Sequence, residues 1–164
     1  MLALKNLHDV FVDELKDLYH AEQQLIKALP RMVTATTHPE LKTAFEEHFE
    51  QTKVHLLRLD HLAKGLDLQL TGKKCPAMEG LIAEGREKVA STGDDSARDA
   101  SLICAAQKIE HYEIAGYGTV RTYARLLGYG DAAQLLQLTL EEEVAGDRHL
   151  SRLAESINIE ANVA

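Results

Sequence analysis

The sequence predicts an all-α fold: four long helices packed as two hairpins, joined by a long crossover that carries a short extra helix. Three features lead to it. Apolar residues recur at three-and-four spacing through four long stretches, and nowhere do they alternate with the period of a strand. Two gaps between stretches are tight, while the third is about thirty residues long, well beyond the two to eight that join neighbouring antiparallel helices. Polar residues also break the apolar stripe near the middle of each long stretch.

The first stretch runs from about Leu4 to Met32, with Leu4, Leu7, Phe11, Leu15, Leu18, Leu25 and Leu29 on one face and Glu22 inside the series. His38-Pro39-Glu40 breaks it, and Pro39 suits a first helical position. A second helix to about Gly65 carries Leu41, Phe45, Leu56, Leu59, Leu62 and Leu66, interrupted by His48, Thr52 and His55. From Asp67 to about Asp95, Gly72, Pro76, Gly80, Gly85 and Gly93 punctuate the chain, and Met78, Leu81, Ile82 and Val89 fit one short helix. Such a segment can return the chain along a helix of ~28 residues, a distance of roughly 42 Å. A third long helix, about Ser96 to Leu127, follows the cap candidates Asp94, Asp95 and Ser96. Its stripe holds Leu102, Ile103, Ala106, Ile109, Val120, Ala124 and Leu127, and Glu110, Glu113 and Tyr117 lie along that same stripe. Gly128-Tyr129-Gly130-Asp131 is a tight turn, and the fourth helix, about Ala132 to Ile157, sets Glu143 among Leu135, Leu136, Leu140, Leu150, Leu153 and Ile157. Two hairpins with one long crossover make the ferritin-like form of a four-helix bundle.

At 164 residues the chain suits one domain, residues 1–164, with a full core. No apolar run approaches membrane-spanning length, so no membrane is expected. Met1-Leu2-Ala3-Leu4-Lys5-Asn6 lacks the zones of a secretory leader, and Cys75 and Cys104 form no ligand spacing. A cytoplasmic protein with free thiols is the simplest expectation. The net charge of −8, with no basic cluster longer than Lys73-Lys74, argues against nucleic acid as a partner.

Counting from the two hairpin turns brings Glu22 level with roughly His48 and Gln51, and Glu113 level with roughly Glu143 to Asp147. One belt across the bundle then holds Glu22, His48, Gln51, Thr52, His55, Glu110, Glu113 and Glu143, with Asp147 and the borderline Glu142 at its edge. Buried carboxylates that crowd one another cost several kcal/mol per ion unless they protonate or meet a cation. Lys and Arg are scarce at inward positions. Two divalent ions would neutralise the cluster, and an oxygen-and-imidazole set suits iron, or alternatively manganese, better than structural zinc. The Glu-x-x-His spacing of di-iron bundles is absent: the chain offers His48-x-x-Gln51, Thr52-x-x-His55, Glu110-x-x-Glu113 and Glu143-x-x-x-Asp147. Plainer roles stand beside these. Thr52 can satisfy Glu110 and Glu113, His48 and His55 can be core histidines bonded to carboxylates, and Cys75 can be packing alone. His20, His61 and His111 fit helix flanks better than ligand positions.

The runs Asp17-Leu-Tyr-His-Ala-Glu22, His48-x-x-Gln51-Thr52, Cys75-Pro-Ala-Met78, Ile109-Glu-His-Tyr-Glu-Ile-Ala-Gly-Tyr117 and Leu140-Glu-Glu-Glu143 resemble the bacterial YciE/YciF family of ferritin-like proteins. The resemblance covers nearly the whole chain. It implies a ferritin-like bundle, dimeric as a rule, associated with stress and binding two metals. The family has Glu before the threonine of the second helix, where this chain has Gln51. Two functions follow as expectations. The first is a two-metal centre that oxidises Fe(II) with oxygen or peroxide, metal ions and a small oxidant being its substrates. The second is a non-catalytic homodimer acting as a stress-related interaction module.

Overall fold

A computed structural model describes residues 4–163, which form five α-helices and no strand. Met1 to Ala3, where the N-terminal leader reading begins, and Ala164 lie outside the described residues. No helix among the described residues is long and apolar enough to cross a membrane.

Helix α1 spans Leu7–Ala35, opened by Asn6, whose side chain accepts from the Asp9 N–H. The predicted start at Leu4 differs: Leu4 precedes this cap and is exposed. The predicted end at Met32 is also short: the helix, which contains Pro30, continues to Ala35. An interior proline removes one backbone bond; burial of Leu29 and Met32 on either side offsets that loss. Helix α2, Pro39–Gly65, starts on its proline as expected. The short helix α3 spans Pro76–Val89, and the Cys75 sulfur caps it by accepting from the Met78 N–H. Asp94 caps α4, Asp95–Leu126, by accepting from the Ala97 N–H. Helix α5 runs from Gly130 to Val163, past the predicted end at Ile157.

The long helices stand in the ring order α1, α2, α5, α4. Each neighbouring pair is antiparallel, which places α1 across the diagonal from α5, and α2 from α4. Helix α3 lies outside the ring against α1 and α4 and carries the chain from one end of the bundle to the other. Its approach is pinned by Lys73, paired with Asp13 at 2.6 Å, and by the Cys75 N–H, which donates to His20 Nδ1 at 2.9 Å. Where α1 packs on α4, Gly116 makes room for Leu18. A Cβ there would stand 2.7 Å from the Leu18 side chain.

Two apolar clusters fill the ring. One, around Leu25, Leu29, Phe45, Ile109 and Leu150, lies toward the α1–α2 turn. The other, around Phe11, Leu15, Leu59, Val120 and Leu136, lies toward the α4–α5 turn. Each such side chain contributes roughly 1.5–3 kcal/mol on burial. Between the clusters sits a polar layer.

Candidate metal centre

Glu22 of α1, Thr52 and His55 of α2, Glu110, Glu113 and Tyr117 of α4, and Glu143 of α5 are all buried in that layer. The register differs from the one predicted. Glu22 faces His55 at 3.4 Å, about one to two turns along α2 from His48 and Gln51. The extension of α1 to Ala35 moves the hairpin turn outward and slides its partner position along α2.

Two groups of ligand atoms, each mutually within 4.8 Å, form across the diagonals: Glu22, His55 and Glu143, and His48, Glu113 and Glu143. Glu143 belongs to both. His55 Nδ1 lies 2.9 Å from Glu143 Oε1, bent away from the N–H direction, so the contact is an ion pair without a hydrogen bond. On its other side His55 Nε2 meets Glu142 Oε2 at 2.8 Å, and Arg58 grips both Glu142 oxygens at 2.6 and 2.8 Å. Tyr117 donates its hydroxyl to Glu22 Oε1. His48 Nδ1 is 3.4 Å from Glu110 Oε1.

The remaining predicted residues fall at the margin. Gln51 is partly buried and lines a cleft beside His48 and Glu110, outside both groups. Asp147 is also outside them, where it accepts from Gln107 at 3.1 Å and faces His111 at 3.3 Å. Thr52 donates to the His48 carbonyl of its own helix at 2.9 Å, so it does not satisfy Glu110 or Glu113 as one plainer reading held. Glu142 is an outer support. Two buried or bridging residues were missed in the sequence. Asp99 continues the stripe of Leu102, Ile103 and Ala106, so its spacing did carry a signal. Arg58 has none, because its partner is on another helix.

Burial drives the electrostatics. Glu113 is raised well above the carboxylate range, first by burial and then by Glu143, Glu22 and Glu110. Glu110 is raised likewise, by burial and then by Glu143. Burial raises Glu22 too, against the pull of His55. For His55 burial works downward, but the adjacent Glu143 and Glu22 outweigh it and push the ring up to about 10. For Glu143 burial works upward and is outweighed by His55, Glu110 and His48, leaving it below its ordinary value. Burial lowers His48. Without metal, protons and one imidazolium thus balance the layer.

The donor set nevertheless calls for more than protons. Both oxygens of Glu113, both of Glu143, Glu22 Oε2 and Glu110 Oε2 are buried with no hydrogen-bond partner. Buried polar atoms without partners are few in native proteins, and these oxygens, with the imidazoles beside them, could hold a metal ion. Oxygen and imidazole donors shared through one carboxylate fit a pair of divalent cations.

Fold and centre together define the class: a ferritin-like bundle with residues able to hold metal. The family model described as "Domain of unknown function (DUF892)" matches residues 6–162, and the chain belongs to that family. It is 48% identical over 154 residues to Protein YciF of Escherichia coli (strain K12), covering 93% of each. The crystal structure of that stress protein matches with a TM-score of 0.91 at 47% identity, over 94% of this chain and 98% of the other. A Rhodopseudomonas palustris protein matches with a TM-score of 0.86 at 38% identity, over 90% and 94%. A two-domain Anabaena variabilis protein with a ferritin-like domain matches at 0.58 and 16% identity, over 98% of this chain and 39% of that one, a likeness of fold alone. The resemblance drawn from the motifs therefore holds.

Proposed function

We propose that this protein binds two divalent ions, iron or alternatively manganese, in the polar layer and oxidises Fe(II) with oxygen or peroxide under stress. The observation that carries the reading is the set of buried carboxylate oxygens without hydrogen-bond partners, in two groups that share Glu143. Glu22 and His55 would hold one ion, His48 and Glu113 the other, with Glu143 common to both and Glu110 beside His48. Bound iron supplies one-electron redox chemistry toward the oxidant. The protein's own residues supply the rest. Glu113, Glu110 and the His55 imidazolium give up protons as a cation arrives, Tyr117 fixes the Glu22 carboxylate, and the apolar clusters on both sides exclude water. The stress context rests on the likeness to YciF, itself a stress protein.

Protein purified without chelator tests this by elemental analysis and by calorimetric titration with Mn(II) and anaerobic Fe(II). Two equivalents are expected, followed by faster Fe(II) oxidation on adding peroxide or oxygen. Saturable binding to neither metal, in protein whose helical circular dichroism is intact, removes the reading. Gln51→Glu, which adds a carboxylate beside His48 and Glu110, should tighten binding.

A further inference from the structure

The polar layer is walled by four helices, so an ion needs a way in. A cavity of about 230 Å³ opens between α2 and α5 and reaches it. Its floor is His48 and Glu110, and its rim includes Glu47 and Gln51 from α2 and Ala145 and Gly146 from α5. Glu110 is only 2% exposed, and its Oε2, without a partner, belongs to that floor. The cavity therefore ends on an unmatched carboxylate.

Gly146 keeps the α5 wall clear of that carboxylate. A Cβ at this position would stand 3.3 Å from both Glu110 oxygens. Mid-helix glycine is unfavourable for helix formation, and α5 keeps one where a side chain would press on the floor. The two ligand groups also differ in depth along this path. The His48 side chain is 11% exposed, whereas those of Glu22 and His55 are 0% and 1% exposed.

Resting on the two-metal reading, we infer that the α2–α5 cleft is the loading port of the centre: it admits divalent cations and small oxidants, and fills the His48 group before the deeper Glu22 group. Ala145 stands at its rim, exposed and bonded to nothing in the centre. A bulky side chain there narrows the port without touching a ligand.

The experiment mixes apoprotein with Co(II) in a stopped-flow instrument and follows tyrosine fluorescence, since the chain has no tryptophan and Tyr117 contacts Glu22. Release is then followed with excess EDTA. In Ala145→Phe, loading and release should both slow at least tenfold while the equilibrium affinity stays within threefold, because a port changes rates and not the bound state. Gly146→Ala should slow loading as well. Ala115→Phe, on the exposed face of α4, should load at the wild-type rate. Wild-type loading rates in both Ala145→Phe and Gly146→Ala, or equal slowing in Ala115→Phe, overturn the port. Absence of Co(II) binding in the wild type would instead take down the metal reading, and the port with it.

Discussion

Asp99 and Glu113 are both carboxylates on the inward face of α4, 1% and 0% exposed. What faces them is opposite. Asp99 accepts from the Thr37 N–H at 3.2 Å, the Thr37 hydroxyl at 2.7 Å and the His38 N–H at 2.7 Å, so it ties the α1–α2 turn to the start of α4. Glu113 has no donor on either oxygen and looks onto Glu22, Glu110 and Glu143. One carboxylate is buried to hold the fold together; the other is buried at a cost to the fold. Burial alone does not mark a functional site; burial without hydrogen-bond partners is what makes Glu113 a candidate.

The largest expected effect comes from the satisfied member. Asp99→Ala leaves the donors of Thr37 and His38 orphaned and should cost about 3 kcal/mol of stability. Urea denaturation should give the same loss with added Mn(II) as with chelator, because Asp99 is far from the polar layer in the bundle. A loss that changes with metal would join the two regions and break the contrast.

Glu113→Gln should act with the opposite sign on the apoprotein. Replacing a carboxylate that burial strains by a neutral amide should raise apo stability at neutral pH. The same change should weaken Mn(II) binding on the order of 100-fold. Calorimetry and urea denaturation of the two variants together settle it. Equal metal affinity in Glu113→Gln and wild type would remove Glu113 from the centre.

Protons and metal compete for the layer, and the signs can be worked out. Glu113 and Glu110 have folded values raised from 4.5, so the folded state keeps protons that the unfolded chain has released. Their contribution is lost as pH rises from 4.5 through the raised values. His55, at about 10 against an ordinary 6.5, contributes stability that is lost between those values as pH rises. His48 and Glu143, both lowered, act at lower pH, where stability falls as pH falls. Apo stability should therefore decline from about pH 7 toward pH 10. Mn(II) affinity should rise over the same range, about tenfold per pH unit for each proton released. Denaturation midpoints across this range with and without Mn(II) check both slopes. Parallel slopes would mean that metal and protons occupy different places.

The bundle was legible because its residues solve one problem repeatedly. Leu15, Leu25, Phe45, Ile109 and Leu153 recur at helical spacing, and each is buried. Pro39 and Asp94 mark their helix starts in the sequence and in the structure alike. The polar layer was legible in outline, since Glu22, Glu113 and Glu143 interrupt apolar stripes where a carboxylate has no local reason to be. Pairing across helices was harder to see. The first helix runs three residues past the predicted Met32, to Ala35, and that extension shifts the register by which Glu22 meets His55. Arg58 and Glu142 were invisible as a pair because neither sits on an apolar stripe and they lie on different helices.

That pair supplies the smallest expected effect and the finest test of where the centre ends. His55 Nε2 leans on Glu142, and Arg58 orients Glu142 while lowering its proton affinity through a two-point hydrogen bond. A carboxylate behind a ligating histidine typically sets its ring orientation and basicity, and its loss weakens metal binding by about tenfold. Arg58→Met keeps the length of the side chain but leaves Glu142 free to turn away. Its effect on stability should be below about 1 kcal/mol, because the Arg58 and Glu142 side chains are 20% and 32% exposed and water screens the pair. Mn(II) affinity should drop by no more than about tenfold, with Glu142→Gln similar and the double variant no worse than either alone. Additive losses in the double variant would show that Arg58 and Glu142 act separately. A loss as large as that of Glu113→Gln would move Glu142 from supporting His55 to holding the ion itself.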